Sequence, residues 1–89
     1  METKSLESVL LKEKETRKNK LILHNDDYNT FDYVILSLVE VCHHDSIRAE
    51  QCAILVHYNG ECCVDSGSFE EMETKKEILI DRGLSATIE

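Results

Sequence analysis

Two short clusters hold the side chains of this sequence that could do chemistry: Asn25-Asp26-Asp27-Tyr28-Asn29, and His57-Tyr58-Asn59-Gly60 further along. An amide oxygen, an ionised carboxylate and the free nitrogen of a neutral imidazole are all hydrogen-bond acceptors. Together they suit a ligand that donates hydrogen bonds and carries positive charge. Each cluster also has an ordinary reading. Runs of Asn and Asp build turns and cap helices, and a histidine in the last turn of a helix sits favourably on the helix dipole.

Other combinations of reactive residue types lead less far. His57, Asp26 and a cysteine would suggest a thiol hydrolase, but nothing in the sequence puts a cysteine beside His57 or supplies an oxyanion hole. Cys42-His43-His44 and Cys62-Cys63 contain zinc-binding residue types, yet adjacent ligands lack the spaced pattern of structural zinc sites. His43 and His44 are expected to face solvent between two helices. No catalytic residue, metal or cofactor is expected.

Charge narrows the partners. Residues 1–20 carry six Lys/Arg against four Glu, a net +2, whereas residues 21–89 carry four against fourteen Asp/Glu, a net −10. An acidic domain repels phosphate backbones and attracts cations, protonated amines included. Nucleic acid is therefore excluded as a partner. The apolar runs, such as Val34-Ile35-Leu36, are too short for a membrane span, and no secretory leader is expected, so the location is read as cytoplasmic. In that setting Cys42, Cys52, Cys62 and Cys63 are expected as free thiols. Cys62 and Cys63 should point to opposite faces of one strand.

Eighty-nine residues allow one modest core. Residues 1–20 are polar and read as a flexible extension, with the folded domain over 21–89. Leu21-Ile22-Leu23 is a short strand, followed by the turn-forming Asn-Asp run. Phe31, Val34, Ile35, Leu38, Val39 and Cys42 lie along one face of a helix that runs to about His43, capped by Asn29 or Thr30. Asp45 or Ser46 caps a second helix, with Ala49, Cys52, Ala53 and Val56 inward, ending near His57-Tyr58 at the Asn59-Gly60 turn. Glu61–Val64 is a second strand. Ser68 and Glu71 form a capping box for a third helix that turns Phe69, Met72 and Leu79 inward and stops at Gly83. Leu84-Ser85-Ala86-Thr87-Ile88 alternates as a strand with one buried face. The fold class is α+β: a single small domain in the order β-α-α-β-α-β, with a three-stranded antiparallel sheet against three helices.

Three stretches carry a family resemblance. Ile22-Leu23-His24-Asn25-Asp26-Asp27-Tyr28 is similar to the hydrophobic strand and Asn-Asp-Asp-Tyr run of the ClpS family. Val56-His57-Tyr58-Asn59-Gly60, preceded by Arg48-Ala49, resembles that family's Ala-Val-His-Tyr-x-Gly, and Glu73-Thr74-Lys75 its Glu-Thr-Lys. The resemblance covers roughly residues 20–89, and the family's element order agrees with the one read from periodicity.

The resemblance implies an adaptor, not an enzyme, that receives amino-terminal degradation signals for a Clp ATP-dependent protease. It assigns the substrate amino group to Asn25, Asp26 and His57. A free α-amino group, with a pKa of about 7.7 to 8.0, is mostly cationic at neutral pH and has three donors, so these acceptors match it. It assigns the first side chain to an apolar pocket of Phe31, Val34, Ala53, Val56 and Leu84. Docking to the amino-terminal domain of a Clp AAA+ unfoldase is assigned to Glu70 and Lys75, and substrate handover to the extension over residues 1–20. Substrate proteins with hydrophobic first residues are the other partners, and a monomer is the default.

The sequence departs from the family in two places. Many relatives have Met at the positions of Phe31 and Ala53, and the Met matching Ala53 acts as a gate against β-branched side chains, so Ala53 implies a wider pocket. Asn29-Thr30 stands where Thr-Pro is common, which loses a proline preorganised for the first helical turn and implies a looser loop. The alternative reading is a plain interaction module of the same fold without an amine pocket, comparable to the carboxy-terminal domain of the ribosomal stalk protein.

Overall fold

The computed structural model describes residues 18–89. Three strands, β1 (Asn19–His24), β2 (Glu61–Gly67) and β3 (Ser85–Ile88), alternate with three helices, α1 (Phe31–Cys42), α2 (Ser46–Asn59) and α3 (Phe69–Asp81). The order is β-α-α-β-α-β, as the periodicity predicts. Both neighbours of β1 run antiparallel to it, giving the sheet order β2-β1-β3. Strand β1, the first strand of the described residues, is thus the central one, and the loop after it leaves from the middle of the sheet.

Strand β1 begins two residues before the expected start. Asn19 and Lys20 pair with Gly67 and Ser66, and Lys20 exchanges backbone hydrogen bonds with Glu89. Polar residues join a strand here because the ladder uses main-chain groups, which hydropathy does not report. Of the extension expected over 1–20, residues 1–17 lie outside the described residues. The same ladder lengthens β2 past Val64 to Gly67.

Leu21 and Leu23 are fully buried and pack with Leu38, Val64, Met72 and Leu79. At about 25 cal/mol per Å² of apolar surface removed from water, this shared cluster is the main stabilising term for so small a domain. Val41 and Ser37 are buried as well, which widens the core-facing side of α1 beyond the expected stripe. Phe69 departs from its expected inward position and is 54% exposed, because the stripe of α3 that reaches the core begins one turn later at Met72.

The helix ends follow local chemistry. Thr30, Asp45 and Ser68 cap α1, α2 and α3, accepting from the backbone N–H groups of Tyr33, Arg48 and Glu71. Gly60 ends α2 at φ 90°, in the left-handed region where a glycine carries no side-chain penalty. Among the described residues no helix is long and apolar enough to cross a membrane.

His44 is not solvent-facing as expected. It is buried, and its Nε2 donates to the Val64 carbonyl at 2.5 Å, while Nδ1 has no hydrogen-bond partner among the described residues. The register explains the partner: Leu21 faces Asp65 and Ile22 faces Cys63, so Val64 is the extra residue of a bulge. A bulged residue has ladder groups free for other partners.

Candidate functional site

The site starts from the central strand. Directly after His24, the Asn25 backbone N–H donates to the Gly60 carbonyl at 2.9 Å. That bond ties the first residue of the loop to the C-cap of α2, and so brings Asn25 to the helical turn that carries His57. The two polar clusters, separate in the chain, thereby share one opening.

Asp26 organises the next three residues. Its Oδ1 accepts the backbone N–H groups of Tyr28 at 2.9 Å and Asn29 at 2.8 Å, and Oδ2 accepts the Asn29 side-chain amide at 2.8 Å. Partial burial acts to raise the Asp26 pKa, but the hydrogen bonds from the Asn29 backbone, the Asn29 side chain and the Tyr28 backbone outweigh it and hold the carboxyl below its ordinary value. Asp26 therefore stays ionised near neutral pH, and its negative charge reaches the cleft while much of its hydrogen-bonding capacity serves the loop. The Asn29 amide also donates to the Gly83 carbonyl at 2.9 Å.

A cleft of about 650 Å³ opens between this loop, the start of α1 and the second half of α2. Asn25, Asp26 and His57 all line it, as do Phe31, Val34, Ala53 and Val56. Acceptors and apolar side chains thus share one cleft. Leu84, grouped with that wall from the resemblance, is instead buried in the core cluster and is not among the lining residues. Four residues line the cleft that the sequence reading did not include: Asp27, Asn29, Ile54 and Tyr58. Ile54 and Tyr58 follow Ala53 and His57 on α2, on the flank that turns outward, and Tyr58 packs edge-on against the His57 ring at a centroid distance of 4.9 Å. Among the described residues no Lys or Arg lines the cleft, so a cationic ligand would meet carboxylates there with no such side chain in competition.

Ala53 is 2% exposed, so its methyl forms part of the floor, whereas Phe31 at 42% exposed stands at the rim.

Glu70 and Lys75 lie on α3, away from this cleft. Glu70 is exposed in the first turn, and Lys75 is half-buried with its ammonium on Asp65 Oδ2 at 2.5 Å. Lys75 lines a second groove of about 510 Å³ with Glu40, Val41, His43, Glu71, Thr74, Ile78 and Arg82. The four cysteines are free thiols, and among the described residues no group of three His, Cys, Asp or Glu side chains is placed to hold a metal ion.

The arrangement can be set beside known proteins. The family model for "ATP-dependent Clp protease adaptor protein ClpS" matches residues 14–87. The chain belongs to the ClpS family. It is 39% identical over 56 residues to the ClpS adapter of Myxococcus xanthus, and 32% identical over 81 residues, or 91% of this chain and 82% of the relative, to that of Campylobacter jejuni subsp. doylei. The match takes in 63% of this chain and about half, 52%, of the Myxococcus protein's length. In three dimensions it resembles Agrobacterium tumefaciens ClpS2 bound to L-phenylalaninamide, with a TM-score of 0.77 and 26% identity over 81% of this chain and 94% of that one. Members of the family are named as adaptors, not as enzymes.

Proposed function

We propose that this ClpS-family chain binds the free α-amino group and the bulky hydrophobic first side chain of amino-terminal degradation signals, and delivers the proteins that carry them to a Clp AAA+ unfoldase–protease in the cytoplasm. One observation carries the reading: the acceptors of Asn25, Asp26 and His57 line the same cleft as the apolar side chains of Phe31, Val34, Ala53 and Val56. L-phenylalaninamide, the ligand of the related Agrobacterium ClpS2, combines a free amine with a benzyl side chain, which is the chemistry such a cleft would accept.

The proposed roles differ by residue. Asp26 attracts the ammonium mainly through its charge, since three hydrogen bonds from the loop already engage its oxygens. Asn25 contributes its amide oxygen and His57 a ring nitrogen. Burying a large first side chain adds roughly 1.5 to 3 kcal/mol. An internal segment or an acetylated terminus would leave buried acceptors unpaired, at about 1 to 3 kcal/mol each. Delivery would proceed through the unfoldase amino-terminal domain at Glu70 and Lys75, with Lys75 exchanging its partner Asp65 for an acid of the unfoldase.

Titration of labelled peptides that begin with free or acetylated Phe tests the amine site directly. The free form should bind at least about a hundredfold more tightly, a difference near 2.7 kcal/mol. Asp26→Ala and His57→Ala should each weaken only the free form. Equal binding of free and acetylated peptides would refute the reading and favour an interaction module without an amine site.

A further inference from the structure

Three hydrogen bonds converge on Asn29. Its backbone N–H donates to Asp26 Oδ1 at 2.8 Å, and its side-chain Nδ2 donates both to Asp26 Oδ2 at 2.8 Å and to the Gly83 carbonyl at 2.9 Å. Both hydrogens of the amide are thereby engaged. The two acceptors belong to distant parts of the chain, Asp26 in the loop after β1 and Gly83 in the turn between α3 and β3. One residue earlier in that turn, the Arg82 carbonyl accepts the Tyr33 hydroxyl of α1 at 2.8 Å. The loop and the first helix are thus fastened to a single turn at two points, and Asn29 itself lines the cleft.

We infer that Asn29 is a positioning residue of the amine site: it clamps the Asp26 carboxylate to the α3–β3 turn, and it offers the cleft only its Oδ1 acceptor. The inference rests on the proposed amine recognition, but the clamp itself exists without a ligand. A side chain with two donors is required, because Asp26 and Gly83 present only acceptors at this point. An aspartate of the same size has none when ionised, and it would face Asp26 as a like charge. This residue also explains how the loop is held without the proline common in the family: the tether runs to tertiary neighbours instead of relying on a fixed φ.

Charge and position make opposite demands of Asn29→Asp. If the cleft needed only more negative charge, this variant would hold an ammonium group more tightly than the parent. The clamp requires the reverse: weaker binding of a peptide with a free amino-terminal Phe by about tenfold or more, since hydrogen bonds to a charged group are being lost. Asn29→Ala should weaken the same peptide by a similar factor and leave the acetylated form unchanged. Tighter or equal binding by Asn29→Asp, or an equal loss of free and acetylated peptides in Asn29→Ala, would overturn the inference. A second measurement needs no peptide. NMR titration of the Asp26 carboxyl in the full chain should give a depressed pKa in the parent, and a rise toward the ordinary carboxylate value in Asn29→Ala. No movement of that pKa would also overturn the clamp, and this result stands whether or not the parent distinguishes free from acetylated termini.

Discussion

Two grooves of comparable size among the described residues treat charge in opposite ways. The one between the Asp26 loop, α1 and α2 presents carboxylates, amides and an imidazole beside apolar side chains, with no Lys or Arg among the described residues of its lining. The one between α1 and α3 holds both signs. There Arg82 Nη1 meets Glu40 Oε1 at 2.8 Å, and Lys75 is neutralised by Asp65. Where a charge is already paired within the chain, binding an ion gains little, since a new pair must replace an existing one. A groove with acceptors and no cation has that gain still available. The contrast supports the proposed assignment of ligand recognition to the first groove, with the second proposed as a surface where charge sets orientation.

Narrowing the first groove should produce the largest change. With Ala53 at its floor, a peptide beginning with Ile should bind within about a hundredfold of one beginning with Leu, or 2.7 kcal/mol. Ala53→Met would fill that space and worsen the Ile-to-Leu ratio by roughly tenfold more, because an added side chain meets the β-branch directly. Calorimetry with matched peptides checks both values, and an unchanged ratio would mean that Phe31 already closes the floor.

Breaking an ion pair of the second groove should leave peptide recognition alone. Lys75→Met keeps the apolar stem and removes the partner of Asp65, and should lower stability by about 0.5 to 1 kcal/mol, the range of partly exposed pairs. Peptide affinity should stay within about twofold of the parent. A larger fall in affinity would show that the two grooves are coupled.

A pH dependence separates core from loop. Burial, reinforced by the neighbouring Cys52 thiol, pushes Cys62 up to about 12, and burial together with Asp65 pushes Cys42 up to about 11. Both folded values lie above those of an unfolded thiol, so the stability they contribute is complete below about pH 8.5 and is lost as pH rises toward them. Asp26 has the opposite sign: its depressed value contributes stability above the ordinary carboxylate pKa, and that contribution is lost as pH falls through the folded value. Denaturant melts at alkaline pH should show the first loss and melts in acid the second, with Cys62→Ala abolishing part of the alkaline one.

Local signals made much of the fold legible. The Phe31-to-Cys42 stripe, the Ser68 cap and the alternation from Leu84 to Ile88 are each set by residues within a few positions of one another, and the structure contains all three. The exceptions depend on distant partners. His44 looks like a solvent-facing linker residue until Val64, twenty positions later, supplies its carbonyl. Asn19 and Lys20 look like tail until β2 and Glu89 pair with them.

The sequence by itself determined the order of elements, the acidic character of the domain and the residue types of the two polar clusters, because spacing and composition are local quantities. Only the tertiary structure decided that Asn25 is tied to Gly60, that Leu84 belongs to the core and not to the cleft, and that Asn29 joins Asp26 to Gly83. Those outcomes follow from which main-chain and side-chain groups meet after the sheet closes around β1, and a donor finds its acceptor by proximity in space, for which position along the chain carries no signal.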